Sequence, residues 1–199
     1  KHYISHFVKR NYKESTNEMK NKVYSDLRKI YCDKDDLNYL LMTYGIALTG
    51  HSTINQTVLF LIGSGSSGKS TILELIKLCC EDYIYTLPKQ TFSKGYTKID
   101  KVLNSYLKNP HIRLSHINEP EDVKIDESLF KDFTDGKIQS TSLFQDGSND
   151  FCHNSKLVFT SNTYPNIIVD TGTSRRVDSY THMSKFVNDK NQFHSSCGL

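Results

Sequence analysis

Apolar residues recur at helical spacing in "DLNYLLMTYGIALTG", which sets Leu37, Leu40, Leu41, Tyr44 and Leu48 on one side of a helix. Asp33 or Asp35 stands where an N-cap belongs, and Gly50 stands where such a helix ends. Residues 1–32 ahead of it are polar and Lys-rich with scattered Tyr, Val, Leu and Ile, and are predicted helical. The pattern then changes period. "TVLFLIG" is a continuous apolar, β-rich run of the kind that forms a parallel strand buried on both faces. A Gly/Ser-rich turn and a helix over about Lys69–Cys80 follow, and then a mixed stretch that predicts no element. A second strand is expected at Ile112–Ile117, a helix over "ESLFKDF" capped by Asp126, and a third buried strand at "KLVFT". Residues 137–153 alternate with period two around Asp146-Gly147, a hairpin turn signal, and "RRVDSY" reads as the last strand.

Strands alternating with helices imply an α/β domain with a mainly parallel sheet. The expected division is an N-terminal helical segment over 1–52, an α/β domain over 53–187 and a polar, frayed tail over 188–199. The chain starts at Lys1 rather than Met and so reads as a piece of something longer.

Composition narrows the picture only a little. With 37% hydrophobic and 24% charged residues the chain is too apolar to be disordered. A net charge of +3 permits nucleic-acid contact without arguing for it. The five cysteines form no CxxC pair and the eight histidines no HxxxH or HExxH pattern, so free thiols in a reducing intracellular compartment are expected and no transition-metal site. No run of 18 apolar residues suggests a membrane span.

The candidate chemistry begins at "FLIGSGSSGKSTILELIK". Gly63-Ser64-Gly65-Ser66-Ser67-Gly68-Lys69-Ser70 fits G-x-x-x-x-G-K-[ST], with a strand before it and a helix after, which is the context that gives the motif meaning. Glycines let backbone N–H groups turn inward on phosphate oxygens, and the helix N-terminus, from Lys69 through Thr71, adds its dipole. Lys69 would reach the β- and γ-phosphates of ATP, and the Ser70 hydroxyl would hold Mg²⁺. Hydrolysis also needs a carboxylate near the γ-phosphate, usually at the end of a neighbouring strand. "IRLSHINEPED" offers Glu119 there, with Asn118 before it where many such ATPases have an Asp for the metal, and Glu121 after it. Asn162 lies just past "KLVFT", where a polar side chain can touch both the γ-phosphate and the attacking water. Arg175 and Arg176 follow 13 and 14 residues later. A guanidinium brought to the γ-phosphate of a neighbouring subunit would stabilise charge in the transition state.

With these pieces in this order the sequence resembles a superfamily 3 helicase, of the primase-helicase ATPase type found in large DNA viruses and in phage and plasmid primases. The resemblance runs from about Asp36 to Tyr180, through "YLLMTYGIALTGHSTINQTVLFLIGSGSSGKST", "RLSHINEPED" and "KLVFTSNTYPNIIVDTGTSRRV". It implies an AAA+-like core, a hexameric ring of identical subunits, and ATP-driven translocation on single-stranded or forked DNA during viral replication. A primase domain in the same full-length chain and a replication site in the host cytoplasm also follow from it. It assigns Lys69 and Ser70 to phosphate and Mg²⁺, Glu119 to water activation and metal support, Asn162 to sensing, and Arg175 or Arg176 to a finger acting in trans. The segment between the acidic strand and Asn162 would form a hairpin gripping DNA, with Lys131, Lys137, His153 and Lys156 as nucleic-acid candidates.

Three positions depart from the pattern. Ser67 stands where relatives often have Asn, "TDGKIQSTSLF" lacks an Arg common in relatives, and "QDGSND" puts acidic and polar residues at the hairpin tip. Two other readings stay open: a P-loop kinase acting on a small molecule, and a nucleotide-dependent initiator or assembly module with little unwinding.

Overall fold

The computed structural model describes residues 6–120, 123–141, 148–168 and 170–187. Glu121, the Asp146-Gly147 turn, Cys197 and the tail expected over 188–199 lie outside them.

Helix α1 (Asn17–Ile30) starts at Thr16, whose side chain accepts from the Met19 N–H. The described residues ahead of Thr16 are not helical, contrary to expectation. They are drawn instead along the end of α3 (Lys69–Cys80), where the Arg10 guanidinium donates to the Leu78 and Cys79 carbonyls and faces Glu81. Of the two possible caps for α2 (Lys34–Thr49), Asp33 is the one used: its carboxylate takes the N–H groups of Asp35 and Asp36. Gly50 ends α2 in the left-handed conformation at φ 78°, where a side chain would be strained.

The sheet holds five parallel strands in the order β2-β3-β6-β1-β7. They are β1 (Val58–Ile62), β2 (Ile84–Thr86), β3 (Leu114–Asn118), β6 (Lys156–Ser161) and β7 (Val177–Thr181). All five residues of β1 and all six of β6 are buried, as near-continuous apolar runs require in a sheet covered on both sides. Alternate side chains feed two cores. Phe60, Ile117 and Phe159 pack with α4 (Ile99–Leu107) and α5 (Glu127–Thr134) on one face. Leu59, Leu61, Leu114 and Val158 pack with α1, α2 and α3 on the other. Each fully buried Leu or Phe contributes on the order of 2 kcal/mol, so the three-layer arrangement is fixed by this alternation.

Beside the main sheet, β4 (Lys137–Thr141) and β5 (Ser148–Cys152) form the expected antiparallel hairpin, with Lys137 opposite Cys152. The sequence pattern missed β2 and α4. Strand β2 has only three residues and sits at the sheet edge, too short for a period to show. Cys79, Cys80 and Cys152 carry free thiols, whereas Cys32 is disulfide-bonded, contrary to the expectation of free thiols. Among the described residues no helix is long and apolar enough to cross a membrane, and no group of three His, Cys, Asp or Glu could hold a metal ion.

Candidate nucleotide site

The segments that follow β1, β3 and β6 converge on one cavity of about 320 Å³ at the C-terminal edge of the sheet. Residues 65–71 of the loop, Asn118, Glu119, Thr160, Ser161 and Asn162 line it. Three segments that the sequence separates by some 40 to 50 residues each therefore meet at one place. The strand bearing Glu119 is not a direct neighbour of the loop strand, because β6 lies between them.

Two glycines let the loop pack closely against the residues behind it. A Cβ added at Gly63 would lie 2.9 Å from the His182 side chain and carbonyl oxygen, and one at Gly68 would lie 2.9 Å from Ile30 Cγ2. Gly68 also has φ +90°, a conformation that side chains rarely adopt. Lys69 is buried, and its ammonium donates to the Gly63 carbonyl, to the Ser64 carbonyl at 3.0 Å and to Ser67 Oγ at 3.1 Å. Ser67 thus helps to aim the lysine along the loop. Burial and the nearby Lys69 charge push the His182 imidazole down to about 4, so it is neutral behind the loop. Ser70 and Thr71 are exposed at the start of α3. A tightly backed glycine loop at a helix start, a buried ammonium and an exposed hydroxyl one residue on together suit a triphosphate and its Mg²⁺.

On the acidic side, Glu119 has φ 50°, an uncommon conformation for a residue with a long side chain. Its N–H is held by the Thr160 carbonyl at 2.8 Å, and Pro120 follows it. Strain at an exposed strand end is the kind that clusters at functional sites. Beside it runs a relay that the sequence did not disclose. Thr160 Oγ1 donates to Asn118 Oδ1 at 2.8 Å, so it accepts from His116 Nε2 at 2.8 Å. Burial pushes His116 down to about 4, which keeps this ring neutral. Asn118 therefore gives its oxygen to Thr160 and keeps its NH₂ as a donor at the cavity's edge, where an Asp would present only acceptors.

The two arginines part company. Arg176 is buried: its Nη2 donates to both carboxylate oxygens of Asp135 at 2.7 and 3.0 Å, its Nε to Thr134 Oγ1 and its Nη1 to the Gly172 carbonyl. These contacts consume the donors a finger would need, which corrects the expectation for Arg176. Arg175 is exposed at the end of α6 (Thr171–Ser174), the short helix that Asp170 caps. Both precede β7, and the Arg176 carbonyl bonds the N–H of Val58, the first residue of β1. Since β1 and β7 are parallel, the pair sits at the N-terminal edge of the sheet, the full length of β1 from the cavity. At about 3.3 Å per residue that is roughly 16 Å. Neither arginine reaches its own chain's cavity.

The nucleic-acid candidates gather at the same N-terminal edge, and two of them are corrected. His153 is buried: its Nε2 donates to the Phe133 carbonyl at 3.0 Å, Nδ1 accepts from the Ser155 N–H, and burial pushes it down to about 4. With Tyr106, Ser115 and Ser155 it forms a buried polar knot at the hairpin base. Lys156 is buried too, bonded to Thr57 Oγ1, and burial brings its ammonium down to about 8. Their polar tone reflects packing rather than a surface. Lys131 is half-buried and ion-paired with Asp170 at 2.7 Å. Lys137 is exposed on β4.

A glycine-rich loop between a central parallel strand and a helix, in a sheet of this order, defines a P-loop NTPase-like α/β fold. The C-terminal region of NrS-1 (residues 305–718) superposes with a TM-score of 0.63 at 13% identity, over 92% of this chain and 42% of that one. A second form of the same region gives 0.60 at 14% identity over the same shares. The likeness is one of fold, and this chain spans about two-fifths of the length of the structures it matches. No described protein family matches the sequence, and no curated protein matches it.

Proposed function

We propose that this chain is an ATP-hydrolysing motor of the superfamily 3 helicase type, which works on DNA in replication as a ring of identical subunits, hexameric by the resemblance. The observation that carries the reading is the single cavity that gathers the loop, Glu119 and Asn162, while Arg175 stands at the opposite edge of the same sheet. A small-molecule kinase would want its arginines within reach of its own phosphates. A ring wants one on the face that meets the next subunit.

In this reading the loop N–H groups and Lys69 hold the triphosphate, and Ser70, with Glu119 nearby, holds Mg²⁺. The metal, when bound, neutralises charge on the phosphate oxygens. The Glu119 carboxylate accepts a hydrogen bond from a water molecule and takes its proton as the water oxygen bonds to the γ-phosphorus and the bond to the β–γ bridging oxygen breaks, that oxygen leaving with ADP. The Asn162 amide orients the same water and the phosphate. Asn118 donates from its NH₂, positioned through Thr160 and His116. Arg175 of a neighbouring subunit supplies positive charge from the other side. The β4–β5 hairpin, with Lys137 exposed at its start, is the segment that would meet DNA.

The test is ATP hydrolysis with and without single-stranded DNA, together with particle size in the presence of a non-hydrolysable ATP analogue. DNA-stimulated hydrolysis and nucleotide-dependent assembly are expected. Failure of both would overturn the helicase reading.

A further inference from the structure

The chain does not leave the phosphate loop after β7. His182 N–H bonds the Ile62 carbonyl, Ser184 Oγ lies 2.9 Å from both the Lys29 and Ile30 carbonyls, and the Phe186 N–H bonds the Ser66 carbonyl at 2.8 Å. Residues 182–186 thus form a strap running along the loop on the side away from Glu119. The strap ends on an aromatic ring. Phe186 Cε2 lies 3.3 Å from where a Gly68 Cβ would stand, with Ile30 against the same glycine, yet Phe186 remains 47% exposed.

From these contacts we infer that Phe186 is the platform on which the nucleobase stacks, an inference that rests on the nucleotide reading above. The sheet order gives the direction. With strands in the order β3-β6-β1-β7, the γ-phosphate end belongs beside Glu119 and Asn162, on the β3 and β6 side. A triphosphate laid through the loop must then leave it toward β7, which is where the strap stands. The cavity itself is lined by Ser, Thr, Gly, Lys, Asn and Glu, a wall suited to phosphate and unsuited to a flat apolar ring. Beyond the lip, Tyr31 is buried and Tyr180 half-buried, and their rings pack with His182. Phe186 offers a half-exposed ring joined directly to two residues that line the cavity. Since stacking reads no base edge, the platform would favour a nucleoside triphosphate over bare polyphosphate more than it would favour one base over another.

The test is calorimetric titration of the full chain with ATP and, separately, with inorganic tripolyphosphate, both with Mg²⁺. Wild type should bind ATP more tightly. Phe186→Ala should weaken ATP on the order of tenfold while leaving tripolyphosphate unchanged, and Phe186→Tyr should restore ATP binding. Phe186→Leu keeps the apolar contact with Gly68 and Ile30 but lacks a π-face, so it should behave like Phe186→Ala and remain folded by circular dichroism. Equal loss of both ligands in the Leu variant, or ATP affinity unchanged in it, would overturn the platform. Lys69→Ala should weaken both ligands. A wild-type chain that binds neither ligand overturns the nucleotide reading itself, and the platform with it.

Discussion

Arg176 and Asp135 form a two-pronged ion pair across 41 positions of sequence, tying the start of β7 to the end of α5. Lys131 and Asp170 make a second, more exposed tie between α5 and α6. Arg176 is buried while Asp135 keeps contact with water, so removing the guanidinium costs its hydrogen bonds and packing more than it strands a carboxylate. Arg176→Ala should therefore cost about 2 kcal/mol of stability, read as a fall in the urea midpoint. Arg176→Lys should recover only part of it, because one ammonium cannot reach Asp135, Thr134 and the Gly172 carbonyl together as the spread guanidinium does.

Arg175 should behave in the opposite way. Being exposed, its replacement by Ala should change stability by no more than about 0.5 kcal/mol, while hydrolysis should fall on the order of a thousandfold if the side chain acts in trans. Mixing inactive Arg175→Ala with inactive Glu119→Gln is the sharper measurement. Some interfaces in the mixture then pair a sound Glu119 with a sound Arg175, and part of the activity should return. No recovery in the mixture would count against action in trans.

Acid should unfold the chain through its buried imidazoles. His116, His153 and His182 take up protons near pH 6.5 when exposed, but only near pH 4 when folded, chiefly because of burial. The unfolded chain therefore binds more protons in that window. The stability these rings allow is complete above pH 6.5 and is lost as pH falls toward 4, by up to about 1.4 kcal/mol per pH unit for each ring. His153→Gln, which keeps a donor for the Phe133 carbonyl, should flatten the slope of urea midpoint against pH by about one proton.

Gly68→Ala should weaken ATP binding and stability together. The added methyl meets Ile30 at 2.9 Å and imposes a side chain at φ +90°, a conformational cost of about 1–2 kcal/mol before any clash. Removing both γ-carbons of the neighbour in Ile30→Ala;Gly68→Ala should recover the steric part and leave the conformational part. Paired thermal melts and ATP titrations of the single and double variants would separate the two.

Much of the fold was legible because local signals agreed with one another. Asp33, Asp126 and Gly50 cap the helices their positions suggest, and the all-apolar runs at Val58–Ile62 and Leu157–Phe159 could only be strands covered on both sides. At the site, the loop, Glu119 and Asn162 could be picked out because each ends or begins an element, where side chains lose their neighbours. What stayed hidden depends on contacts between distant residues. Nothing near "SRRV" distinguishes an arginine that meets Asp135 from one that meets solvent. Thr160 reads as one more strand residue until His116 and Asn118 flank it. The pattern places Lys156 and His153 beside a hairpin without showing that both point inward. Phe186 carried no signal, since its importance arises only because the strap brings it back to Gly68.

Ser184 joins the far end of the described chain to the last turn of α1, and Ile30 in that turn touches the loop glycine. Trimming the protein to the stretch from residue 53 onward would take away the wall behind Gly68 and lay Leu59, Leu61 and Ile72 open to water. A fragment chosen by motif boundaries would keep every signature residue and still lose the packing that shapes the loop. For this chain, the smallest piece worth expressing begins before Asn17 and ends after Phe186.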